Sequence, residues 1–451
     1  MGNNTPKTAF TFLQIIGDIL FLNLAIILAF LIRFIGQLPT ENIEPYFALF
    51  PLISLAAFFL FKFYGLYDTV NKVWSEIFAS LIISLTMLMI YTISLSYLFQ
   101  GFKFPRTVFF IALLTQIVIL GLWRYMLMVW ERKLTPVKRV IIIAPHNEVE
   151  LIAQKLNYYK NQLLGVLIDC LECRGNLEKQ VVLGDYTDIE RVCLTHGPDE
   201  IIMSGEVPRS VKNNVSMACL KYGWQVYVIP GVYEILVHQS ATGQVKDTPV
   251  FKISPGVNNG KEQVKRLFDC VISIVILLAT LPITIVAALL IKLDSPGPLF
   301  YCQERVGKYG KRFILLKFRT MQNNAEAQTG PVLCSEKDPR ITRVGRYLRL
   351  FRVDEIPQLF NVLKGDMSIV GPRPERPFFV EQFEKQIPGY KCRHFSEAGI
   401  TGLAQVAGTY STSAEDKLRY DLMYSKESSP LFDLKILLQT LKVVFMRDKA
   451  S

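Results

Sequence analysis

The sequence predicts a membrane protein in three parts: four N-terminal transmembrane helices, a doubly wound α/β domain, and a basic C-terminal domain with a re-entrant membrane helix. Three observations predict this class. Apolar residues make up 51% of the 451 residues and are concentrated in a few long stretches. Short β-branched runs alternate with helical segments in the middle of the chain. The net charge of +11 is concentrated in the C-terminal part.

The N-terminal region, residues 1–135, contains four long apolar stretches. Each has close to the ~20 residues that cross a bilayer as a helix. Asp18 and Lys62 are isolated charges within or beside these stretches, so we expect them to snorkel or form pairs rather than mark a transport path. The stretches are Ala9–Ile32, Tyr46–Phe63, Ile77–Phe99 and Val108–Trp130.

A basic cluster follows the fourth stretch and predicts the orientation of the chain. Arg132, Lys133, Lys138 and Arg139 lie within a few residues of its end. Because loops rich in Lys and Arg stay on the cytoplasmic side, the chain after this cluster is predicted to be cytoplasmic. Four crossings then place the N-terminus on the same side.

Residues 136–255 are predicted to form a Rossmann-like α/β domain. Short β-branched runs alternate with helical segments, as in a doubly wound parallel sheet. After the first strand the chain reads Ala144-Pro145-His146-Asn147-Glu148, without the glycines that let a backbone approach a pyrophosphate. A structural or regulatory module is therefore favoured over a dinucleotide site. The runs are Val140–Ala144, Leu164–Ile168, Ile201–Ser204 and Gln225–Ile229.

A fifth apolar stretch, Val271–Ile291, contains no charge and is long enough to span a bilayer. Lys265 and Arg266 precede it and Lys292 follows it, so both flanks favour the cytoplasmic side. Pro282 promotes a kink in its middle. These features predict a re-entrant helix near 267–292 that dips into one leaflet and returns; the alternative is an ordinary fifth span.

The C-terminal part carries most of the positive charge. Residues 261–451 contain 29 Lys and Arg against 20 Asp and Glu, whereas residues 1–260 contain 21 against 19. Basic regions bind nucleic acids, anionic lipids or phosphorylated substrates. Since membrane spans precede this region, we expect membrane lipids and phosphates, and no nucleic acid.

Cations surround a pair of adjacent acids in this region. Asp354 and Glu355 follow a run from Arg343 to Arg352 in which arginines recur every three residues, so that on a helix they would lie along one broad face. Phosphoryl transfer requires a nucleophile, neutralisation of charge and usually a divalent metal. An aspartate can attack phosphorus, and a neighbouring carboxylate can hold Mg²⁺.

Further cations extend this constellation. Lys317 and Arg319 add positive charge, and the Pro372-Arg373-Pro374 run fixes the backbone around an arginine that can clamp a phosphate. The alternatives from the residues alone are a solvated or lipid-facing basic helix and a plain structural turn.

The region Lys265–Leu441 resembles the bacterial sugar transferases known as monotopic phosphoglycosyl transferases. Two departures are Leu281-Pro282, where the family often has Ser-Pro, and Ala398, where it usually has proline. The runs that carry the resemblance are Lys265–Asp269, Gln303–Gly307, Lys317–Met321, Asp338–Arg346, Arg352–Leu359, Gly365–Ser368, Gly371–Glu375, Thr401–Gln405 and Asp433–Ile436.

The resemblance implies that residues 261–451 form an α-rich catalytic domain with the re-entrant helix. It implies that Asp354 attacks the β-phosphate of a UDP-sugar, releases UMP and passes the sugar phosphate to undecaprenyl phosphate. Glu355 would bind Mg²⁺, Lys317 and Arg373 would handle phosphates, and Asp433 would be a further acid important for activity. The predicted catalytic residues are thus Asp354 and Glu355, and the predicted substrate-binding residues are Lys317, Arg319, Arg352, Arg373 and Asp433.

The four spans and the α/β module resemble the large subclass that starts exopolysaccharide or O-antigen assembly. This implies a multi-pass protein of the bacterial inner (plasma) membrane, a cytoplasmic catalytic domain and a homodimer, with glucose or galactose as the expected sugar. One alternative is a membrane channel or sensor with an α/β ligand-binding domain. Another is a transferase whose site lies among the spans.

Overall fold

A computed structural model describes residues 5–37, 40–70, 72–99, 105–156, 161–169, 180–238, 240–253, 259–322, 338–409 and 412–444. The chain divides into two units, Met1–Ile229 and Pro230–Ser451. The predicted division into 1–135, 136–255 and 261–451 places its boundaries differently and stays a prediction.

Four long apolar helices begin the first unit, and each overlaps one predicted stretch. They are consistent with a membrane protein, because each is long and apolar enough to cross a bilayer. Their number and order of crossing stay a prediction. The helices are α1 (Thr5–Arg33), α2 (Thr40–Phe63), α3 (Trp74–Leu98) and α4 (Arg106–Leu134).

Asp18 on α1 pairs with Arg124 on α4, and both side chains are 1% exposed. Arg124 also donates a hydrogen bond to the carbonyl of Leu66, which follows α2. The pairing expected for the isolated Asp18 is therefore confirmed. Because a buried charge is costly without a partner, the pair fixes α1 against α4.

The rest of the first unit is a five-stranded parallel sheet in the order β3-β2-β1-β4-β5. On β1, Ile141 and Ile143 pack into one apolar cluster and Ile142 into another. Alternate residues of a strand face opposite sides, so both faces are covered, as the doubly wound prediction requires. The elements are β1 (Lys138–Ile143), α5 (His146–Leu156), β2 (Asn161–Ile168), β3 (Val182–Asp185), α6 (Ile189–His196), β4 (Glu200–Ser204), α7 (Arg209–Tyr222) and β5 (Val226–Ile229).

The second unit begins inside the range that the sequence assigned to the α/β domain. Its first helix, α8 (Val232–His238), buries Ile235 against Leu418 and Leu422 near the C-terminus. A two-stranded hairpin follows, formed by β6 (Ala241–Val245) and β7 (Thr248–Lys252). Packing over almost 190 residues of sequence explains why local patterns did not reveal this boundary.

The fifth apolar stretch forms α9 (Asn259–Asp294), which continues as a helix through Pro282. Its 36 residues rise about 54 Å at ~1.5 Å per residue. Ile272 packs into one core cluster of the second unit, and Ala287 and Ile291 pack into another. Both ends of α9 are therefore tied to the same unit, while the residues between them leave many apolar side chains exposed. The re-entrant path stays a prediction.

Helices predominate in the remainder of the second unit, around two small sheets. β8 and β9 form an antiparallel hairpin, and β10 and β11 pair in parallel. The elements are β8 (Phe300–Val306), β9 (Arg312–Phe318), α10 (Arg343–Leu350), α11 (Gln358–Lys364), β10 (Ser368–Val370), α12 (Pro377–Gln386), β11 (Gly399–Thr401), α13 (Leu403–Ala407), α14 (Ala414–Glu427) and α15 (Pro430–Val444).

Candidate functional site

Glu355 lies at the centre of three cations. Its Oε1 atom is 3.0 Å from Lys317 Nζ and 2.9 Å from Arg373 Nη2, and both donate hydrogen bonds to it. Its Oε2 atom is 3.9 Å from Arg352 Nη1. We call these four residues the Glu355 cluster. Three of the residues predicted to bind substrate therefore meet at one carboxylate.

Three separate segments bring the cluster together. Lys317 projects from β9, and Glu355 ends a short 3₁₀ turn over Val353–Glu355. Arg352 precedes that turn with a backbone φ of 54°, in the left-handed region that non-glycine residues rarely adopt. Such a conformation costs roughly 1–3 kcal/mol and is concentrated at functional sites. The left-handed conformation of Arg352 thus places Glu355 among the cations and Asp354 beside them.

Asp354 is buried beside this cluster but takes no part in it. Among the residues that the structure describes, none forms a hydrogen bond or ion pair with its carboxylate, which is 7% exposed as a residue. Burial, and then the charge of Glu355, raise the pKa of Asp354 to about 6, although Lys317 lowers it in part. A carboxylate without such partners can act as a nucleophile, and a raised pKa increases the nucleophilicity of its ionised form.

The neighbouring acid is in the opposite electrostatic state. Burial raises the pKa of Glu355, but Lys317, Arg373 and Arg352 lower it by more, so its net pKa lies well below the ordinary value. Glu355 is therefore ionised at every physiological pH. Two adjacent carboxylates with divergent pKa values are typical of sites that divide two chemical roles between them.

The arginine run contributes to the site only through its last two members. Arg343 and Arg346 on α10 are exposed, whereas Arg349 and Arg352 are partly buried. Arg349 donates a hydrogen bond to Thr320 Oγ1 at 2.8 Å, and its charge acts on Asp354. Because Arg352 lies beyond the end of α10, the four arginines do not share one face of a helix.

Arg373 is presented by a stretch of tightly packed backbone. A Cβ atom at Gly371 would lie 2.1 Å from the carbonyl oxygen of Glu397, so only glycine allows this approach. Gly371 donates to the carbonyl of Thr401, and Gly399 donates to the carbonyl of Pro372. The stiffness expected from the two prolines is therefore reinforced by hydrogen bonds to the β11 region.

Arg319 lies apart from the Glu355 cluster. Its guanidinium is buried and donates hydrogen bonds to the carbonyls of Ser295 and Pro296, both at 2.7 Å. These carbonyls directly follow α9, so Arg319 closes the C-terminal end of that helix. The structure does not bring Arg319 to the two acids, and its predicted role in substrate binding stays untested.

Asp433 occupies a second cluster, in which both carboxylates are fully buried. Its carboxylate accepts hydrogen bonds from Lys265 Nζ at 2.6 Å and from the Tyr424 hydroxyl at 2.7 Å. Lys265 Nζ also lies 3.9 Å from Asp269. We call these four residues the Asp433 cluster. Their contacts join α9, α14 and α15, so a direct contact of Asp433 with substrate requires this cluster to open.

The donors at the site fit a magnesium ion only in part. The described residues contain no group of three or more His, Cys, Asp or Glu side chains placed to hold a metal. Mg²⁺ is commonly held by one or two carboxylates together with substrate phosphates and water. Glu355 Oε2 has no hydrogen bond among the described residues, and this oxygen fits such a ligand.

Sequence reasoning missed several residues that shape the site. Arg349 was visible in the arginine run, but nothing in its spacing distinguished it from Arg343. Lys265 and Tyr424, the partners of Asp433, lie 168 and 9 residues from it in sequence. An ion pair between Arg393 and Asp421 also lies near Arg373. No local pattern indicates such pairs, because each member comes from a different segment.

Comparison with known proteins supports a family assignment. The family model described as "Bacterial sugar transferase" matches residues 260–447. The UDP-glucose:undecaprenyl-phosphate glucose-1-phosphate transferase of Caulobacter vibrioides is 38% identical over 232 residues, which cover 47% of this chain and 84% of that protein.

Two other relatives are matched over a smaller share of their length. The UDP-N-acetylgalactosamine-undecaprenyl-phosphate N-acetylgalactosaminephosphotransferase of Aeromonas hydrophila is 39% identical over 46% of this chain and 47% of its own. The UDP-glucose:undecaprenyl-phosphate glucose-1-phosphate transferase of Klebsiella pneumoniae is 35% identical over 58% and 56%. The matched part of this chain thus spans about half the length of these two relatives.

Proposed function

The chain belongs to the bacterial sugar transferase family, and we propose that it transfers a hexose-1-phosphate from a UDP-sugar to undecaprenyl phosphate. The related proteins are named for transfer of glucose-1-phosphate or N-acetylgalactosamine phosphate to this lipid carrier. The reaction would start exopolysaccharide or O-antigen synthesis.

One observation carries the proposal: a buried aspartate, which has no hydrogen bond or ion pair among the described residues, lies beside a carboxylate that gathers three cations. Asp354 is the candidate nucleophile, and Lys317, Arg352 and Arg373 supply charge for a diphosphate. A UDP-sugar carries two negative charges on its diphosphate. Because phosphoryl transfer depends mainly on positioning and on charge neutralisation, this arrangement suits it.

In the first step, a carboxylate oxygen of Asp354 attacks the β-phosphorus of the UDP-sugar. A new P–O bond to the aspartate forms, and the bond from the β-phosphorus to the bridging oxygen breaks. UMP leaves with that oxygen, and an aspartyl-phosphosugar remains. The bond between sugar and phosphate stays intact, in accord with relatives named for transfer of sugar-1-phosphate.

In the second step, a phosphate oxygen of undecaprenyl phosphate attacks the same phosphorus. The bond to Asp354 breaks, which restores the free carboxylate, and a lipid diphosphate-linked sugar forms. Lys317 and Arg373 donate hydrogen bonds to one oxygen of Glu355, and their N–H groups can instead donate to phosphate oxygens in both steps. The same cations therefore serve two successive phosphate substrates.

A divalent metal would supplement these cations. Glu355 would hold Mg²⁺ together with the phosphates of the donor, since magnesium usually combines few carboxylates with phosphate oxygens and water. When bound, the ion supplies additional neutralisation of charge on the diphosphate. Glu355 would otherwise orient Lys317 and Arg373, as the distances of 3.0 and 2.9 Å indicate.

We place the protein in the bacterial inner membrane with its catalytic unit on the cytoplasmic face, where nucleotide-sugars are made. The attachment of both ends of α9 to one unit supports a helix that enters and leaves on the same side. The basic flanks Lys265, Arg266 and Lys292 support the same orientation. Protease protection of the C-terminus in inside-out vesicles would contradict this placement.

The test is an intact-mass measurement on the purified protein. Incubation with Mg²⁺ and UDP-glucose, UDP-galactose or UDP-N-acetylgalactosamine, without lipid, is expected to add one sugar phosphate. Undecaprenyl phosphate should then discharge the adduct and yield lipid-linked sugar. Mass photometry of the same sample tests the predicted homodimer, for which two chain masses are expected.

Asp354→Asn should form no adduct, whereas the control Asp366→Asn should form it normally. Asp366 is an aspartate of the same unit that pairs with Lys364 at 2.9 Å, away from the Glu355 cluster. Lipid-linked product without any adduct would replace the covalent step by direct transfer. An adduct that persists in Asp354→Asn would assign the nucleophile elsewhere.

A further inference from the structure

Arg373 lies in a backbone segment in which each carbonyl group from Pro372 to Glu375 accepts a hydrogen bond from a different residue. The carbonyl of Pro372 accepts from Gly399 N at 2.8 Å, and that of Glu375 accepts from Val306 N at 3.0 Å. The carbonyl of Pro374 accepts from Arg305 Nη1 at 3.0 Å. The remaining carbonyl, that of Arg373 itself, accepts from Arg393 Nη2 at 3.1 Å. A side chain 20 residues away thus holds the peptide that carries the phosphate clamp.

Arg393 is itself fixed from two sides. Its Nη2 atom lies 2.9 Å from Asp421 Oδ2, and its Nη1 atom donates a hydrogen bond to the Tyr390 hydroxyl. The side chains of Arg393 and Asp421 are 4% and 2% exposed. A substrate therefore cannot reach this pair in the present arrangement. The pair joins the 3₁₀ segment Tyr390–Phe395 to α14 and directs one guanidinium nitrogen at the Arg373 carbonyl.

Stability alone is a weak explanation for such a pair. Removing two charges from water costs several kcal/mol, and an apolar replacement of similar volume is often equally stable. The planar guanidinium, however, contacts Asp421, Tyr390 and the Arg373 carbonyl through two nitrogens in a fixed geometry; an apolar side chain makes no such contacts, and a lysine would make them from a single nitrogen on a flexible stem. This geometry indicates that Arg393 holds the main chain of Arg373 in a defined position.

We infer that Asp421 and Arg393 are positioning residues that hold Arg373 in place for binding the diphosphate of the donor. Asp421 fixes the guanidinium of Arg393, and Arg393 fixes the main chain of Arg373, whose side chain is 2.9 Å from Glu355. Neither residue touches the reacting atoms. This inference rests on the proposed function, since it deepens the role of Arg373 at the same site.

Substitutions in the Arg393–Asp421 pair should change kcat/KM only by displacing Arg373. Small displacements of a positioned group can cost about 100-fold in rate. We therefore expect Arg393→Lys to lower kcat/KM for the UDP-sugar by roughly 10- to 100-fold. In a protein that already carries Arg373→Lys, the same change should cost less than about threefold, because contacting residues that act as one unit are not additive.

A double-mutant cycle over Arg393→Lys and Arg373→Lys tests this, measured as kcat/KM and as the Kd of UDP. Arg419→Lys is the matched control: Arg419 lies on α14 near Asp421, but its guanidinium pairs with Glu415 and Asp416. It should change both quantities by less than about twofold. An equal loss from Arg393→Lys in both backgrounds, or no loss in either, would overturn the inference.

Asp421→Asn keeps the size of the side chain and serves if Arg393→Lys does not fold. It should reproduce the coupling with Arg373→Lys while circular dichroism and Tm show a folded protein. If neither variant folds, the pair is structural and the inference is wrong. A wild type that forms no product with any donor would instead refute the proposed function, and the Kd cycle with UDP would still decide the positioning role.

Discussion

The Glu355 cluster and the Asp433 cluster are both built from carboxylates and basic side chains, yet they differ in exposure and in saturation. Lys317, Arg352 and Arg373 are 20%, 17% and 33% exposed and converge on a single acid. Lys265, by contrast, is 12% exposed and contacts Asp433, Asp269, the Tyr424 hydroxyl and the Val370 carbonyl.

The difference indicates that the Glu355 cluster can bind an additional anion, whereas the Asp433 cluster serves to join helices. The Glu355 cluster has more cations than acids, even when Asp354 is ionised, so it attracts an additional anion. In the Asp433 cluster, one lysine faces two carboxylates that are fully buried. Breaking such a pair leaves a buried charge without a partner, which is strongly destabilising. We therefore expect substitutions in the first cluster to affect activity and those in the second to affect folding.

Among substitutions within the two clusters, Glu355→Gln should give the largest loss of activity. The substitution keeps the size of the side chain but removes the charge that gathers Lys317, Arg352 and Arg373. We expect kcat/KM to fall by roughly 100- to 1,000-fold, while Tm changes little because the cations are partly solvated. Formation of radiolabelled lipid-linked sugar measures the first quantity, and detergent-phase thermal unfolding measures the second.

The control is Glu397→Gln, which removes an acid that lies 3.8 Å from Lys308 and outside both clusters. It should leave both quantities near their wild-type values. If Glu355→Gln lowers the Tm but leaves the substrate turnover per folded molecule unchanged, the role of the Glu355 cluster is structural. The proposed difference between the two clusters would then be wrong.

Arg373→Lys and Arg319→Lys compare an arginine inside the Glu355 cluster with one outside it. A lysine cannot reproduce the planar contact with carboxylate and phosphate, so Arg373→Lys should cost about 10- to 100-fold in kcat/KM. Arg319→Lys should lose one of two carbonyl contacts beyond α9, lowering Tm while kcat/KM stays within about threefold. Equal losses of activity in both, at unchanged Tm, would place Arg319 at the substrate.

The pH dependence of adduct formation sharpens the contrast between the two adjacent acids. Burial and the charge of Glu355 raise the pKa of Asp354 to about 6. The attacking form is the carboxylate, so the single-turnover rate should be constant above pH 7. Below pH 6 it should decrease with falling pH and approach a tenfold decrease for each pH unit. Rapid quenching followed by intact-mass analysis measures this rate. A level rate down to pH 4.5 would show that Asp354 is not the group that titrates.

The sequence allowed the apolar helices, the parallel sheet and the acidic pair to be predicted, because each depends on local pattern. Hydrophobic length reveals a helix such as α1, and β-branched runs reveal a strand such as β1. Lys317 and Arg373 could be associated with Glu355 through the family resemblance. Geometry then placed them within 3.0 Å of it.

Other features depend on contacts between distant segments, and no local pattern encodes them. The left-handed backbone of Arg352 and the partners of Arg319 are of this kind. The grouping of α8 with the second unit depends on Leu418 and Leu422, far along the chain. Spacing of charges in the sequence indicated which residues are basic, but not which carboxylate or carbonyl each one meets.

Asp433→Asn should have the smallest effect on activity and a clear effect on stability. Asparagine removes the ion pair of 2.6 Å, and the poorly solvated Lys265 then keeps only the longer contact of 3.9 Å with Asp269 beside the Tyr424 hydroxyl and the Val370 carbonyl. Loss of one member of a buried pair costs about 3–5 kcal/mol, so Tm should fall by at least about 5 °C. Turnover per folded molecule at low temperature should stay within about threefold of the wild type.

The triple substitution Lys265→Met, Asp269→Asn and Asp433→Asn removes the lysine together with both carboxylates that it faces, so it should recover part of the lost Tm, since no charged side chain remains in the cluster. Thermal unfolding of the wild type, of Asp433→Asn and of the triple variant in one detergent, together with turnover corrected for the folded fraction, measures the outcome. If Asp433→Asn keeps its Tm but loses turnover, Asp433 acts on the substrate. In that case the two clusters form one functional site, although the structure separates them.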